Sequence, residues 1–384
     1  MRGFLRLAAW SFLAMAWLAI GQRDARGAVL TLVAHSGDNI GGYTPVSFNQ
    51  RPTINNSNKV AYIGYLGTGG GLDSVIYVNQ TKLFAPGDSV GSQSYAYAYG
   101  PHPVINNNGS VAFGFRNFSG TTILATSSNG PVFNFDTQQI NGKTLGSIGQ
   151  CVYNDSGTFL FNSNYLNGGT IIITSPSAVL VQQGQTIDGF TISGMNGVDE
   201  SSMNNSGTIV FRGGGGPTYE FTQTQRLVGT GSIVAGTTLT NVNPDAAIND
   251  AGDIAYQGFF GSSNGIFTLT RNVVNRNDTL GGHQLSSIDS SVDINNKDHV
   301  AYLADYVGGG QGIFLEHGLL VSTGDVVGGH TIASLFRPSL NDNDTVAAYA
   351  TFTDGSSGII TAVPEPTLAV VMLLALRLRL RRTD

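Results

Sequence analysis

The chain has 384 residues, of which only 11% are charged and 41% are hydrophobic, and its formal net charge is −6. So little charge, with no basic stripe, argues against a nucleic-acid partner, and the hydrophobic share argues against disorder. The single cysteine, Cys151, excludes an internal disulfide.

At the N-terminus, Arg2 and Arg6 precede an apolar run from Leu7 to Ile20. Ala25-Arg26-Gly27 then offers a small-x-small cleavage site before Ala28. These features predict a secretory signal peptide over 1–27, exported by the Sec pathway. The apolar run is short for a retained membrane anchor.

From residue 28 to 362 one pattern recurs seven times, anchored at Asn55, Asn106, Asn154, Asn204, Asn249, Asn295 and Asn341. Three residues after each anchor stands Asn58, Gly109, Gly157, Gly207, Gly252, Asp298 or Asp344. Only residues that enter the left-handed region at low cost occur there, so each copy predicts a tight hairpin. Short runs such as Val60-Ala61-Tyr62, Val111-Ala112-Phe113 and Val300-Ala301-Tyr302 follow, and these read as buried strands. A second turn motif recurs about 17 residues before each anchor, as in Gly37-Asp38, Gly87-Asp88 and Gly324-Asp325. Two further strands precede that motif, for example Val75–Val78 with Lys82–Ala85, and Ile313–Leu315 with Leu319–Ser322.

Each unit of 45 to 51 residues therefore holds about four short strands. The first unit lacks its leading strand, and Gly358–Thr361 supplies one at the other end. The expectation is an all-β fold: a seven-bladed β-propeller of four-stranded blades, closed by the C-terminal strand completing the first blade. An open β-array is the alternative.

The repeat resembles a bacterial surface family with tandem N-x-x-G-x-x-A-F repeats and interchangeable C-terminal anchors. Asn106-Asn107-Asn108-Gly109-Ser110-Val111-Ala112-Phe113 matches it letter for letter, and Asn249 to Tyr256 matches with Tyr in place of Phe. The resemblance implies no established activity. Pro364-Glu365-Pro366, the apolar run Thr367 to Leu376, and Arg377, Arg379, Arg381 and Arg382 resemble the PEP-CTERM sorting signal. That resemblance implies a Gram-negative-type bacterial source, transient membrane association through 363–384, and processing by a dedicated sorting enzyme. It also implies a setting of exopolysaccharide production. The apolar run is shorter than is usual for that signal.

Four residues before each anchor stand Arg51, His102, Gln150, Glu200, Asp245, Ser291 and Arg337. All are polar while their neighbours are mainly apolar or small. In a closed propeller one repeat position makes one ring, so these residues are the candidate binding ring at the mouth of the central channel. The plain alternative is a set of solvated strand starts. Tyr95, Tyr97 and Tyr99 alternate along one strand and read either as a sugar platform or as packing against a neighbouring blade. Cys151 reads as a small buried filler.

No catalytic or phosphate-binding motif is present. His283 and His330 both follow Gly-Gly at equivalent repeat positions, which suggests duplication, and no metal site is assigned. Asn341–Asp344 and Asn249–Asp253 resemble fragments of calcium loops but lack the distal Glu, and hairpin geometry already accounts for them. No cofactor is expected, with calcium the one ion worth weighing. The expected function is that of an exported cell-surface or matrix protein. It would be non-enzymatic and bind extracellular polysaccharide or another surface protein through one propeller face. The alternatives are a carbohydrate-active hydrolase or lyase with a hub site carrying Glu200 and Asp245, and a purely structural surface protein.

Overall fold

The computed structural model describes residues 27–67, 73–166, 168–174 and 178–365. The signal segment 1–26, and Pro366 with the tail beyond it, lie outside the described residues. The described chain is all strand and turn, and it forms a seven-bladed β-propeller.

Each blade is an antiparallel sheet built on four strand positions, numbered here from the channel outward. In blade one the inner strand is Ser47–Phe48 with Thr53–Ile54, followed by Val60–Tyr65, Ser74–Val78 and Thr81–Phe84. Blades two to six repeat this order over residues 93–134, 145–182, 194–229, 241–275 and 283–322. The closing sheet takes strands from both ends of the chain: His330–Leu335 with Ser339–Leu340, Val346–Phe352 and Ser357–Pro364 from the C-terminal end, and Ala28–His35 from the N-terminal end. The N-terminal strand forms its outer edge, paired from Ala28↔Pro364 to His35↔Gly358. This sheet is called blade seven.

All seven residues three positions after the anchor have positive φ, from 56° at Asn58 to 90° at Gly252. A side hairpin precedes each inner strand. In six of the seven its turn places two consecutive residues at positive φ, as at Asn141–Gly142 (52° and 71°) and Gly328–Gly329 (59° and 90°), whereas in blade two Gly91 alone has positive φ. That is the backbone of a type I′ turn, which matches the right-handed twist of the flanking strands.

The core is divided among the blade interfaces. Seven hydrophobic clusters lie among the described residues, and each spans two neighbouring blades. Both faces of a blade are therefore buried, which explains why the second strands read as continuous apolar runs. Period-two alternation divides the side chains. Val60 and Tyr62 pack into the interface with blade seven, whereas Ala61 and Ile63 pack toward blade two. Val111 and Phe113 likewise face blade one, and Ala112 faces blade three. Burying one such aromatic contributes roughly 1.5–3 kcal/mol, and the small alanine opposite leaves room for the next blade.

Candidate functional site

The anchor asparagines close a ring at one mouth of the channel. Each side-chain amide donates to the backbone carbonyl of the next anchor, from Asn55 to Asn106 and onward to Asn341, which returns to Asn55, at 2.8 to 3.2 Å. Each Oδ1 meanwhile accepts the N–H four residues on in its own turn, at 2.8 to 3.0 Å. One side chain thus shapes the hairpin and links it to the next blade.

A second ring lies beside the first. Residues one position after the anchors are Asn56, Asn107, Asp155, Asn205, Asp250, Asn296 and Asp342. Each backbone N–H donates to the Oδ1 of the next member at 2.7 to 2.8 Å, again around the full circle. The Oδ2 atoms of Asp155, Asp250 and Asp342 each accept from the asparagines on both sides. These rings line a cavity of about 160 Å³. In the loop resembling a calcium fragment, Asp342 is held in this ring, and Asp344 accepts from Lys297 (3.0 Å) and meets His299 Nδ1 at 2.8 Å.

The candidate binding ring lies deeper along the inner strands, toward the opposite face. In every blade the inner strand is broken or bulged there: between Phe48 and Thr53, Ala98 and Val104, Ile148 and Cys151, Val242 and Ala247, Ile288 and Val292, and Leu335 and Ser339. In blade four the break is a turn, with Ser202 N donating to Asp199 O at 3.0 Å. That turn pushes Asp199 and Glu200 across the channel to the arginines of blades one and seven. Arg51 Nη1 donates to Asp199 Oδ1 at 3.1 Å and lies 3.7 Å from Glu200 Oε2. Arg337 pairs with Asp199 through Nη1 and reaches Glu200 Oε1 through Nε at 3.2 Å.

The expected open ring is therefore revised at these positions. The side chains of Arg337 and Glu200 are buried against each other because the channel narrows to side-chain contact there. His102 N donates to Gln150 Oε1 (3.3 Å), Asp245 Oδ2 accepts from Ser290 Oγ (2.9 Å), and Ser291 is buried with its N–H on Asp289 (2.8 Å). Pro364 and Glu365 stand apart, at the far end of blade seven beside Gly27.

Burial opposes ionisation of Asp199, but Arg337, a hydrogen bond with Glu200 and then Arg51 outweigh it and hold the carboxyl below its usual range. Glu200 goes the other way: burial raises it against the pull of Arg337, with Asp199 adding to the rise. Burial, then Arg51, lowers His102 to about 4, so its imidazole is neutral at ordinary pH. Asp199 was not among the residues expected from the repeat. The available signal was two consecutive acids, Asp199-Glu200, in the unit across the ring from Arg51 and Arg337.

A polar cleft of about 270 Å³ lies between blades five and six. It lies on the face opposite the asparagine rings. Asn243, Gln257 and Asn264 line one wall, and Ser287, Asp289, Asp305 and Gln311 are among those lining the other. Gln257 Nε2 donates to Ile288 O at 2.6 Å, and Gln311 Nε2 to Asp305 Oδ1 at 3.0 Å. Asn264 Oδ1 is buried and has no hydrogen-bond partner among the described residues. Exposed Asp289 also borders an adjoining cleft between blades six and seven. Sequence reasoning missed this site, because its two walls come from different units and most of the residues lining them differ in repeat position.

Tyr95 is fully buried between blades one and two and donates to Ser74 O at 3.1 Å. Tyr99 is exposed, with the Arg116 guanidinium 4.0 Å above its ring, so the three tyrosines do not form one platform. Cys151 is fully buried, its Sγ 3.7 Å from His102 O, and burial pushes its thiol far up.

No family model and no curated protein matches the chain. Among solved structures it is similar to BBS1N, from a crystal structure in complex with ARL6DN, at 11% identity over 88% of this chain and 98% of that one, with a TM-score of 0.40. It is similar to the gluconolactonase XC5397 of Xanthomonas campestris at 10% identity, covering 88% and 90% of the two chains, with a TM-score of 0.34. It is also similar to the sialidase of Trypanosoma rangeli at 10% identity, covering 93% of this chain and 61% of that one, with a TM-score of 0.38.

Proposed function

We propose that this chain is an exported cell-surface or matrix protein that acts by binding, and that it holds a neutral extracellular polysaccharide in the cleft between blades five and six. The cleft's lining carries the reading. Amides, hydroxyls and carboxylates converge there on a concave surface, and Asn264 Oδ1 is buried there with no hydrogen-bond partner among the described residues. Such groups offer both donors and acceptors to sugar hydroxyls, and a bound hydroxyl would satisfy the orphaned acceptor. The signal peptide expected over 1–27, the sorting tail at 363–384 and the sparse charge support an extracellular setting. In this reading the tail gives transient membrane association and is the substrate of a sorting enzyme.

Titration calorimetry of the full chain with exopolysaccharide from the producing cells tests the proposal. Saturable binding is expected, weakened about tenfold or more by Asn264→Ala or Asp289→Ala and unaffected by Asn107→Ala at the opposite mouth. Unweakened binding in both cleft variants would remove the proposal, and loss of binding in EDTA would point to an ion, such as calcium, in the complex. One observation favours a second reading. Asp199 and Glu200 are neighbouring carboxyls driven to opposite protonation states beside Arg51, the pattern of an acid and base pair. Release of sugar fragments by the wild type, abolished in Glu200→Gln, would establish a hydrolase or lyase instead.

A further inference from the structure

His330 begins the inner strand of blade seven, and His283 holds the same place in blade six. Each follows a Gly-Gly turn, so the repeat alone accounts for a histidine there. Their surroundings differ. His283 stacks on Tyr306, with ring centroids 4.0 Å apart and planes 8° apart. His330 instead stacks on a second histidine, His35, at 4.0 Å and 24°. His35 ends the N-terminal strand, the outer edge of the blade that closes the ring. The turn between the second and third strands of that blade adds Asp354, whose Oδ2 lies 2.7 Å from His330 Nδ1. One ligand atom from each of His35, His330 and Asp354 falls within a span of 4.8 Å. Asp38 Oδ1 stands 3.5 Å from His35 Nδ1, and Ser356 Oγ is 2.9 Å from His35 Nε2. Phe352 lies against both rings, at 6.0 Å from His35 and 5.2 Å from His330.

We infer that His35, His330 and Asp354 form a binding site for a divalent transition-metal ion of the zinc type, which clamps the N-terminal strand to blade seven. Two imidazoles and one carboxylate are a donor set that suits zinc and its neighbours, with further positions left for water. Calcium and magnesium prefer oxygen ligands and fit this set poorly. The ligands come from opposite ends of the chain, so an ion bound only when the ring is closed stabilises the closed form by mass action. The inference is independent of the polysaccharide reading.

The test uses the full chain, stripped with chelator and titrated with zinc chloride, with cobalt chloride in a parallel visible-absorption titration. A saturable rise in Tm with zinc is expected, together with cobalt absorption bands. Calcium chloride should produce neither. His330→Ala and His35→Ala should each weaken metal binding at least about tenfold, while His283→Ala should bind like the wild type. The cobalt spectrum reads binding directly, so a lowered baseline Tm in a variant does not obscure the result. A wild type without cobalt bands or a zinc-dependent Tm, or metal binding unchanged in the His35→Ala, His330→Ala double variant, would overturn the inference.

Discussion

Glu220 brings a carboxyl group into the interface between blades four and five. It lies on the third strand of blade four, across from Arg212, in the company of Asp245 and Tyr256. Neither of its side-chain oxygens has a hydrogen-bond partner among the described residues. Burial raises its pKa from 4.5 to about 8, against the pull of Arg212. The folded state therefore keeps this proton through a window in which the unfolded chain has lost it. Its contribution to stability is complete below about 4.5 and falls as pH rises to about 8, by at most about 5 kcal/mol. Urea unfolding of wild type and Glu220→Gln between pH 5 and 8 measures this difference in slope. The variant should lose much less stability across that range, and parallel curves would contradict the assignment. The channel cluster follows a different logic. Arg337 is buried against Asp199 and Glu200, so removing it would strand two carboxyls, whereas Arg51 is partly exposed. Polarity at these positions was legible in the sequence. Burial was not, because it depends on a turn in blade four meeting side chains from the other side of the ring.

The hairpin after each inner strand is the element that the sequence displays most openly. A left-handed residue was required three positions after each anchor, and all seven positions have positive φ. The strands were legible for the same local reasons, namely β-branched and aromatic residues bounded by turn-formers. The link from hairpin to hairpin was not, because the amide of each asparagine finds its partner 45 or more residues away, and nothing local names that partner. Asn204 shows what the link contributes. Its amide donates to Asn249 O at 3.1 Å, and its Oδ1 accepts Thr208 N at 2.9 Å. Asn204→Ala should cost roughly 2–3 kcal/mol in urea unfolding, from one buried and one part-buried hydrogen bond and the groups they leave unpaired. Asn204→Asp keeps the acceptor but sets a carboxylate against a carbonyl, so it should be at least as damaging. A wild-type midpoint for the aspartate variant would show that the turn alone, and not the ring, fixes this residue. The breaks in the inner strands were also hidden, since a bulge depends on what the channel can hold.

The whole molecule is a closed ring in which every blade interface is a core, and the two faces differ. One face is finished by two circles of hydrogen bonds that occupy the polar groups of the asparagine mouth. The other carries the strand breaks, the two polar clefts bordered by Asp289, and exposed apolar tips such as Phe118, Leu166 and Val307 at turns between second and third strands. Closure was legible from the matching ends of the chain, and the pairing of Ala28–His35 with Ser357–Pro364 shows its form. The division of labour between faces could be read only once seven units stood in a circle. Hydrogen exchange of the full chain, with and without exopolysaccharide from the producing cells, reads that division directly. Slowed exchange is predicted at 287–291 and 303–311, with none added at the turns that begin at Asn106, Asn204 and Asn295. Protection centred on those asparagine turns, or spread over outer blade edges, would contradict it.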